Sequence, residues 1–262
     1  MHDDDLTRFE EEGAEPLPPT QEQGYVENEG ARIWWASYGK GSPVILLHGG
    51  LGNSGNWGYQ VPSLVEAGYR AILIDSRGHG RSTRDLRPFS YVLMASDVSA
   101  VMQALHVLKA SLVGWSDGAF TALILASQAP AQVTGVLYFG CNTDPSGAKE
   151  FVFTPVIGRC LNRHKQDYAQ LSATPDQFED FFEAVGLMQR TQHNYSRQDL
   201  AQINVPVTIV HSEHDEFIKQ EHAEYLAQNI PNAKFVLLPG VSHFAPLQRP
   251  ELFNQAMLAF LR

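Results

Sequence analysis

The sequence predicts an α/β fold built on a mostly parallel sheet. Three observations predict it. Strand-like apolar runs alternate with stretches of helical spacing, which implies parallel strands joined by right-handed crossovers. The run 43–48, PVILLH, is closed by Gly49-Gly50 and suits a strand buried on both faces. The alternation is interrupted once, over 142–203, and then resumes.

In order along the chain, 25–27 and 32–36 read as short strands around an Asn28-Glu29-Gly30 turn. The buried strand 43–48 follows, then a helix over 56–67 that stops at Gly68. YRAILID, 69–75, is a strand; 91–108 has helical spacing; ASLVG, 110–114, is a strand; 120–127 is a helix rich in Ala and Leu; 133–140 is a strand. The interrupting segment, 142–203, is rich in aromatics and charges and has no clear β run. It reads as a helical cap over the strand ends, where ligands bind in such sheets. A strand at 205–211, a helix at 220–229, a strand at 233–238 and a helix at 251–261 complete the chain. The expected division is a core of 24–141 and 204–262, a cap of 142–203 and an N-terminal segment, 1–23.

That segment carries −7 of the formal net charge of −10. It is acidic and contains prolines, and it reads as a disordered, solvated tail. The near-neutral remainder has no basic stripe, which excludes nucleic acid as an expected partner. No apolar run is long enough to span a membrane. The acidic start argues against a secretory signal. Two cysteines, Cys141 and Cys160, are too few for a disulfide framework, so free thiols in the cytoplasm are expected.

Gly114-Trp115-Ser116-Asp117-Gly118 is the central motif. It follows a strand and opens a helix, the context that gives G-x-S-x-G its weight. The tight turn presents the Ser116 hydroxyl, and the glycines admit neighbouring backbone. A serine hydroxyl needs a base to attack a carbonyl. In sites of this kind the chain order is Ser, acid, His. Asp215 and His243 follow the last two strands, on the same sheet edge as Ser116. His243 is the candidate base and Asp215 the acid that orients it. Asp144 is the rival acid. His211, His214 and Asp215 have weak metal-ligand spacing without further support, and no metal is expected. His48 is read as structural, while His164 and His193 are cap residues able to line the pocket.

Oxyanion donors are expected from the Asp117 amide and from the loop His48-Gly49-Gly50-Leu51-Gly52, at Gly50 or, failing that, Leu51. Trp115 and Phe244, next to the candidate nucleophile and base, are substrate-binding candidates with Asp117. In the loop 75–82, Asp75 and Arg77 are expected to lock the backbone by charged hydrogen bonds. The cap aromatics Phe151, Phe153, Tyr168, Phe181, Phe182 and Tyr195 are expected to divide between pocket wall and internal packing.

Taken together, the HGG turn, the D-x-R-G-H-G-x-S loop at 75–82, the nucleophile elbow, the late Asp215 and the last-loop His243 resemble the α/β-hydrolase superfamily over 24–262. The resemblance implies a mostly parallel eight-stranded sheet with helices on both faces and a helical cap after strand six. It also implies hydrolysis through an acyl-enzyme, without a cofactor. The elbow is most similar to the biphenyl-hydrolase-like branch that contains valacyclovir hydrolase. There the acid after the nucleophile binds the α-ammonium of amino-acid esters, a role that would fall to Asp117. The alternative for Asp117 is a carboxylate favoured by the helix N-terminus.

The expected activity is hydrolysis of a small carboxylic ester, by a monomer or small homo-oligomer. Lactone opening, carbon–carbon bond hydrolysis and peracid formation are the alternatives on the same fold. A non-catalytic ligand receptor is the reading from another class.

Overall fold

A computed structural model describes residues 2–20 and 22–262. Its centre is one eight-stranded sheet in the order β1-β2-β4-β3-β5-β6-β7-β8. β1 (Gln23–Asn28) and β2 (Ala31–Tyr38) form a two-residue hairpin with positive φ at Glu29 and Gly30. β2 runs antiparallel to β4 (Tyr69–Ile74). From β4 onward the neighbours are parallel: β3 (Ser42–Leu47), β5 (Ala110–Trp115), β6 (Val133–Phe139), β7 (Val207–His214) and β8 (Ala233–Ser242).

The alternation of strand side chains divides the core in two. Ile45 and Leu47 of β3 join one apolar cluster, Val44 and Leu46 the other. The first cluster is closed by α3 (Tyr91–Ala104), α4 (Asp117–Gln128) and α8 (Gln220–Asn229) through Val98, Leu123 and Leu226. The second is closed by α2 (Gln60–Glu66) and α10 (Pro250–Leu261) through Leu64 and Met257. The insert after β6 is helical, with α5 (Pro155–Leu171), α6 (Phe178–Thr191) and α7 (Arg197–Ala201). Among the described residues, no helix is long and apolar enough to cross a membrane.

The N-terminal segment corrects the expectation of a disordered tail. Positions 1 and 21 lie outside the described residues, but the rest of the segment is ordered. It holds a helix, α1 (Thr7–Glu12), whose Phe9 is buried together with the preceding Leu6. Leu6 precedes the helix in the left-handed region at φ 57°, and both side chains enter the second apolar cluster. The acids around them, read as solvating charge, meet partners. Asp4 pairs with Arg249 at 2.7 Å, and Asp5 and Glu10 both face Arg159 of α5.

Candidate active site

The elbow between β5 and α4 is strained. Ser116 sits at φ 53°, ψ −121°, conformations a non-glycine residue rarely adopts. The flanking glycines are required by close approach. A Cβ on Gly118 would lie 2.1 Å from the Leu47 carbonyl oxygen, and one on Gly114 would lie 2.5 Å from that of Gly118. The Ser116 amide donates to Phe139 O at 2.8 Å, which ties the turn to the end of β6.

β7 and β8 run further than their apolar stretches suggest. Their pairing continues to His214 against Ser242. The next residues are Asp215 and His243, so the ladder delivers the two side chains together. His243 Nδ1 and Asp215 Oδ2 are 2.9 Å apart. Asp215 Oδ1 accepts from the amides of Phe217 and Ile218, both at 2.9 Å. Burial alone would raise the Asp215 carboxyl, but the charge and hydrogen bond of His243 hold it below the usual range. An ionised Asp215 makes Nδ1 the donor and leaves Nε2 as the acceptor. Burial would depress His243, yet Asp215 and then Glu216 outweigh it and raise its pKa. Glu216 also accepts from the His243 amide at 2.9 Å, a contact that sequence reasoning missed.

Ser116 and His243 line one small cavity of about 40 Å³, with Gly50, Trp115, Phe244 and the cap residue His164. Among the described residues, the amides of Gly50 and Asp117 donate to no protein acceptor. The Asp117 carboxylate is buried beside Gly50, accepting from the Tyr91 hydroxyl at 2.8 Å and from Gln189 Nε2 of α6 at 3.0 Å. No sequence pattern marked Gln189; its contact depends on how the cap folds down.

The other candidates are placed as follows. His48 is buried, with Nε2 accepting from the Ser76 amide and Nδ1 donating to Gly49 O. Asp144 caps a short 3₁₀ turn and faces His222 at 3.8 Å, away from His243. His211 is buried and His214 exposed. Among the described residues, no group of three His, Cys, Asp or Glu could hold a metal ion. Both cysteines are free and buried. His193 packs with its ring tilted against Tyr91 and Phe120 and is absent from the cavity wall. Tyr168 and Phe181 are buried in the cap's junction with the core, while Phe151 and Phe153 are exposed. Asp75 and Arg77 both lock the loop, but not to each other. Asp75 accepts from the amides of Ser54 and Arg81, and Arg77 pairs with Asp97.

The model of the alpha/beta hydrolase family matches residues 44–256. The chain belongs to the alpha/beta hydrolase family. Ser116, Asp215 and His243 all lie within the matched span. The chain is 27% identical to the serine hydrolase BPHL of Mus musculus, over 90% of this chain and 85% of that protein. It is 29% identical to the bifunctional esterase/perhydrolase DCH of Acinetobacter calcoaceticus, over 91% and 99%. Among solved structures it is similar to Est816, described as an N-acyl homoserine lactone degrading enzyme. The TM-score is 0.72 and the identity 28%, covering 90% of this chain and all of the other.

Proposed function

We propose that the protein is a serine hydrolase that cleaves a small carboxylic ester through an acyl-enzyme. The observation that carries this is the 2.9 Å bond from His243 Nδ1 to Asp215, with the opposite ring nitrogen left to a cavity shared with Ser116. His243 Nε2 takes the proton as Ser116 Oγ attacks the ester carbonyl. The oxyanion forms against the Gly50 and Asp117 amides, with the Leu51 amide as the alternative donor. His243 then protonates the departing alcohol, activates a water, and the acid is released. Esterase relatives support this reading, and a lactone presents the same carbonyl in a ring.

The ester is neutral in this reading. Asp117 holds Tyr91 and the cap residue Gln189 and is not among the side chains that line the cavity, which favours an anchoring role over an ammonium-reading one. The test compares wild type and Ser116→Ala on an L-amino-acid ester and its des-amino analogue. Expected are comparable wild-type rates on the two esters and a loss of roughly a thousandfold or more in the variant. Full activity in Ser116→Ala would sink the mechanism; a strong preference for the amino ester would return Asp117 to the ammonium role.

A further inference from the structure

Three successive amides of the histidine loop are each held by a side chain. Ser242 N donates to Gln248 Oε1 at 2.8 Å, Phe244 N to Ser242 Oγ at 3.2 Å, and His243 N to Glu216 Oε2 at 2.9 Å. Glu216 is the next residue after Asp215, whose Oδ2 takes the ring of the same histidine at 2.9 Å. Adjacent carboxylates of one loop therefore grip His243 at both ends, one at the ring and one at the main chain. The loop that carries them is itself fixed. Asp215 Oδ1 accepts from the Phe217 and Ile218 amides, Lys149 Nζ donates to Asp215 O at 2.6 Å, and Lys149 N donates to Phe217 O at 2.7 Å. Glu216 is half-buried, and burial raises its carboxyl while its bond to the His243 amide and the His243 charge oppose the rise.

We infer that Glu216 is a positioning residue of the hydrolytic site: it holds the His243 backbone while Asp215 holds the ring, so that the remaining ring nitrogen keeps one direction. The inference rests on the esterase reading above. Between the main-chain amide and Nδ1 lie two torsions, χ1 and χ2, and fixing both ends leaves them little freedom. A ring tethered to Asp215 alone would turn about that oxygen as its Cα drifted. Proton transfer from Ser116 tolerates little such drift, since a misplacement of about 1 Å can cost roughly 10²-fold. Glu216 also sets a second negative charge beside a histidine that becomes cationic as Ser116 attacks. The charged and titratable groups near His243 are Asp215 and Glu216 from the loop after β7, Asp117 from α4 and His211 from β7. Those near Glu216 are His243, Asp215 and the Cys160 thiol of α5, which burial keeps protonated. Among these groups, Glu216 alone holds His243 by its main chain.

The test uses the full chain and p-nitrophenyl acetate, a small neutral ester whose cleavage is followed by absorbance. Ser116-dependent hydrolysis by wild type is measured first, across pH. Glu216→Gln keeps an acceptor oxygen and loses the charge; Glu216→Ala loses both. Expected in Glu216→Ala is a plateau kcat lowered by roughly tenfold or more, with KM within about threefold. In Glu216→Gln the plateau kcat should return to within about threefold of wild type. In both variants the rising limb of kcat/KM should move to lower pH, because His243 has lost a charge that favours its cation. A merely structural role would lower the thermal midpoint and leave the limb in place. A wild-type plateau in Glu216→Ala, a Glu216→Gln plateau as low as that of Glu216→Ala, or an unmoved limb in Glu216→Gln overturns the inference while leaving the esterase reading intact. Glutamine is nearly isosteric with glutamate, so a misfolded alanine variant cannot hide the answer. Absence of Ser116-dependent turnover in wild type overturns both readings.

Discussion

The proton held between Asp215 and His243 sets the pH behaviour of the site. In the proposed mechanism His243 acts as a base only when neutral, and its pKa is raised above the ordinary histidine value because Asp215 outweighs burial. The kcat/KM profile on a neutral ester should rise with pH through an apparent pKa above about 6.5. Asp215→Asn removes the charge that raises it. The rising limb should move to lower pH, and kcat should drop by about 10⁴-fold as the ring loses its tautomer. A limb that stays in place would show that Asp215 does not control His243. Stability follows the same linkage. A histidine raised in the folded state stabilises below its unfolded pKa, and that contribution is lost as pH rises through the folded one.

At the scale of elements, the N-terminal arm departs furthest from the sequence expectation. Composition identified an acidic segment, and counted charge favours solvation. What composition does not weigh is two apolar residues, Leu6 and Phe9, that both enter the second apolar cluster. Phe9 packs edge-on against His164, with ring centroids 5.9 Å apart. The arm is thereby packed behind His164, a residue of the Ser116 cavity wall. Phe9→Ala should destabilise by about 3–5 kcal/mol if the cavity stays open, measured by urea denaturation. A change within about 0.5 kcal/mol, the range of ordinary surface substitutions, would mean the arm is not docked. The last two strands taught the converse lesson. Their apolar stretches stop at 211 and 238, but the ladder runs on through the polar His211–His214 segment to Ser242. Strand periodicity located the loops; only the register shows that they are neighbours.

Across the whole molecule, the parallel order and the cap's position were legible because buried strands must be apolar and must be joined by crossovers. The nucleophile turn was legible because its glycines flank the serine at fixed spacing, where the backbone of Leu47 and of the turn itself leaves no room for a Cβ. Contacts from the cap were not, since Gln189 and His164 reach the site through the fold of an insert without periodic constraint. The same holds for Arg77, whose partner proved to be Asp97 of α3 and the carbonyls of Asn28 and Glu29 in the hairpin. That pair joins the sheet edge to a helix on one face, and both side chains are 2% exposed. Asp97→Asn leaves the guanidinium buried without its counter-charge and should cost about 3–5 kcal/mol. A denaturation midpoint equal to wild type would show that water or another acceptor replaces the carboxylate.

The arm's attachment to Arg249 also bears on how the chain is made. Asp4 and Arg249 are 245 residues apart in sequence. During synthesis the arm therefore leaves the ribosome long before the surface that binds it exists. For that interval it is what its composition describes, a hydrated acidic strand. Its contacts with Arg159 and His164 of α5 become possible once the cap has been translated, and its clamp to Arg249 only after the start of α10. A ribosome-bound fragment ending before Arg249 therefore lacks this clamp.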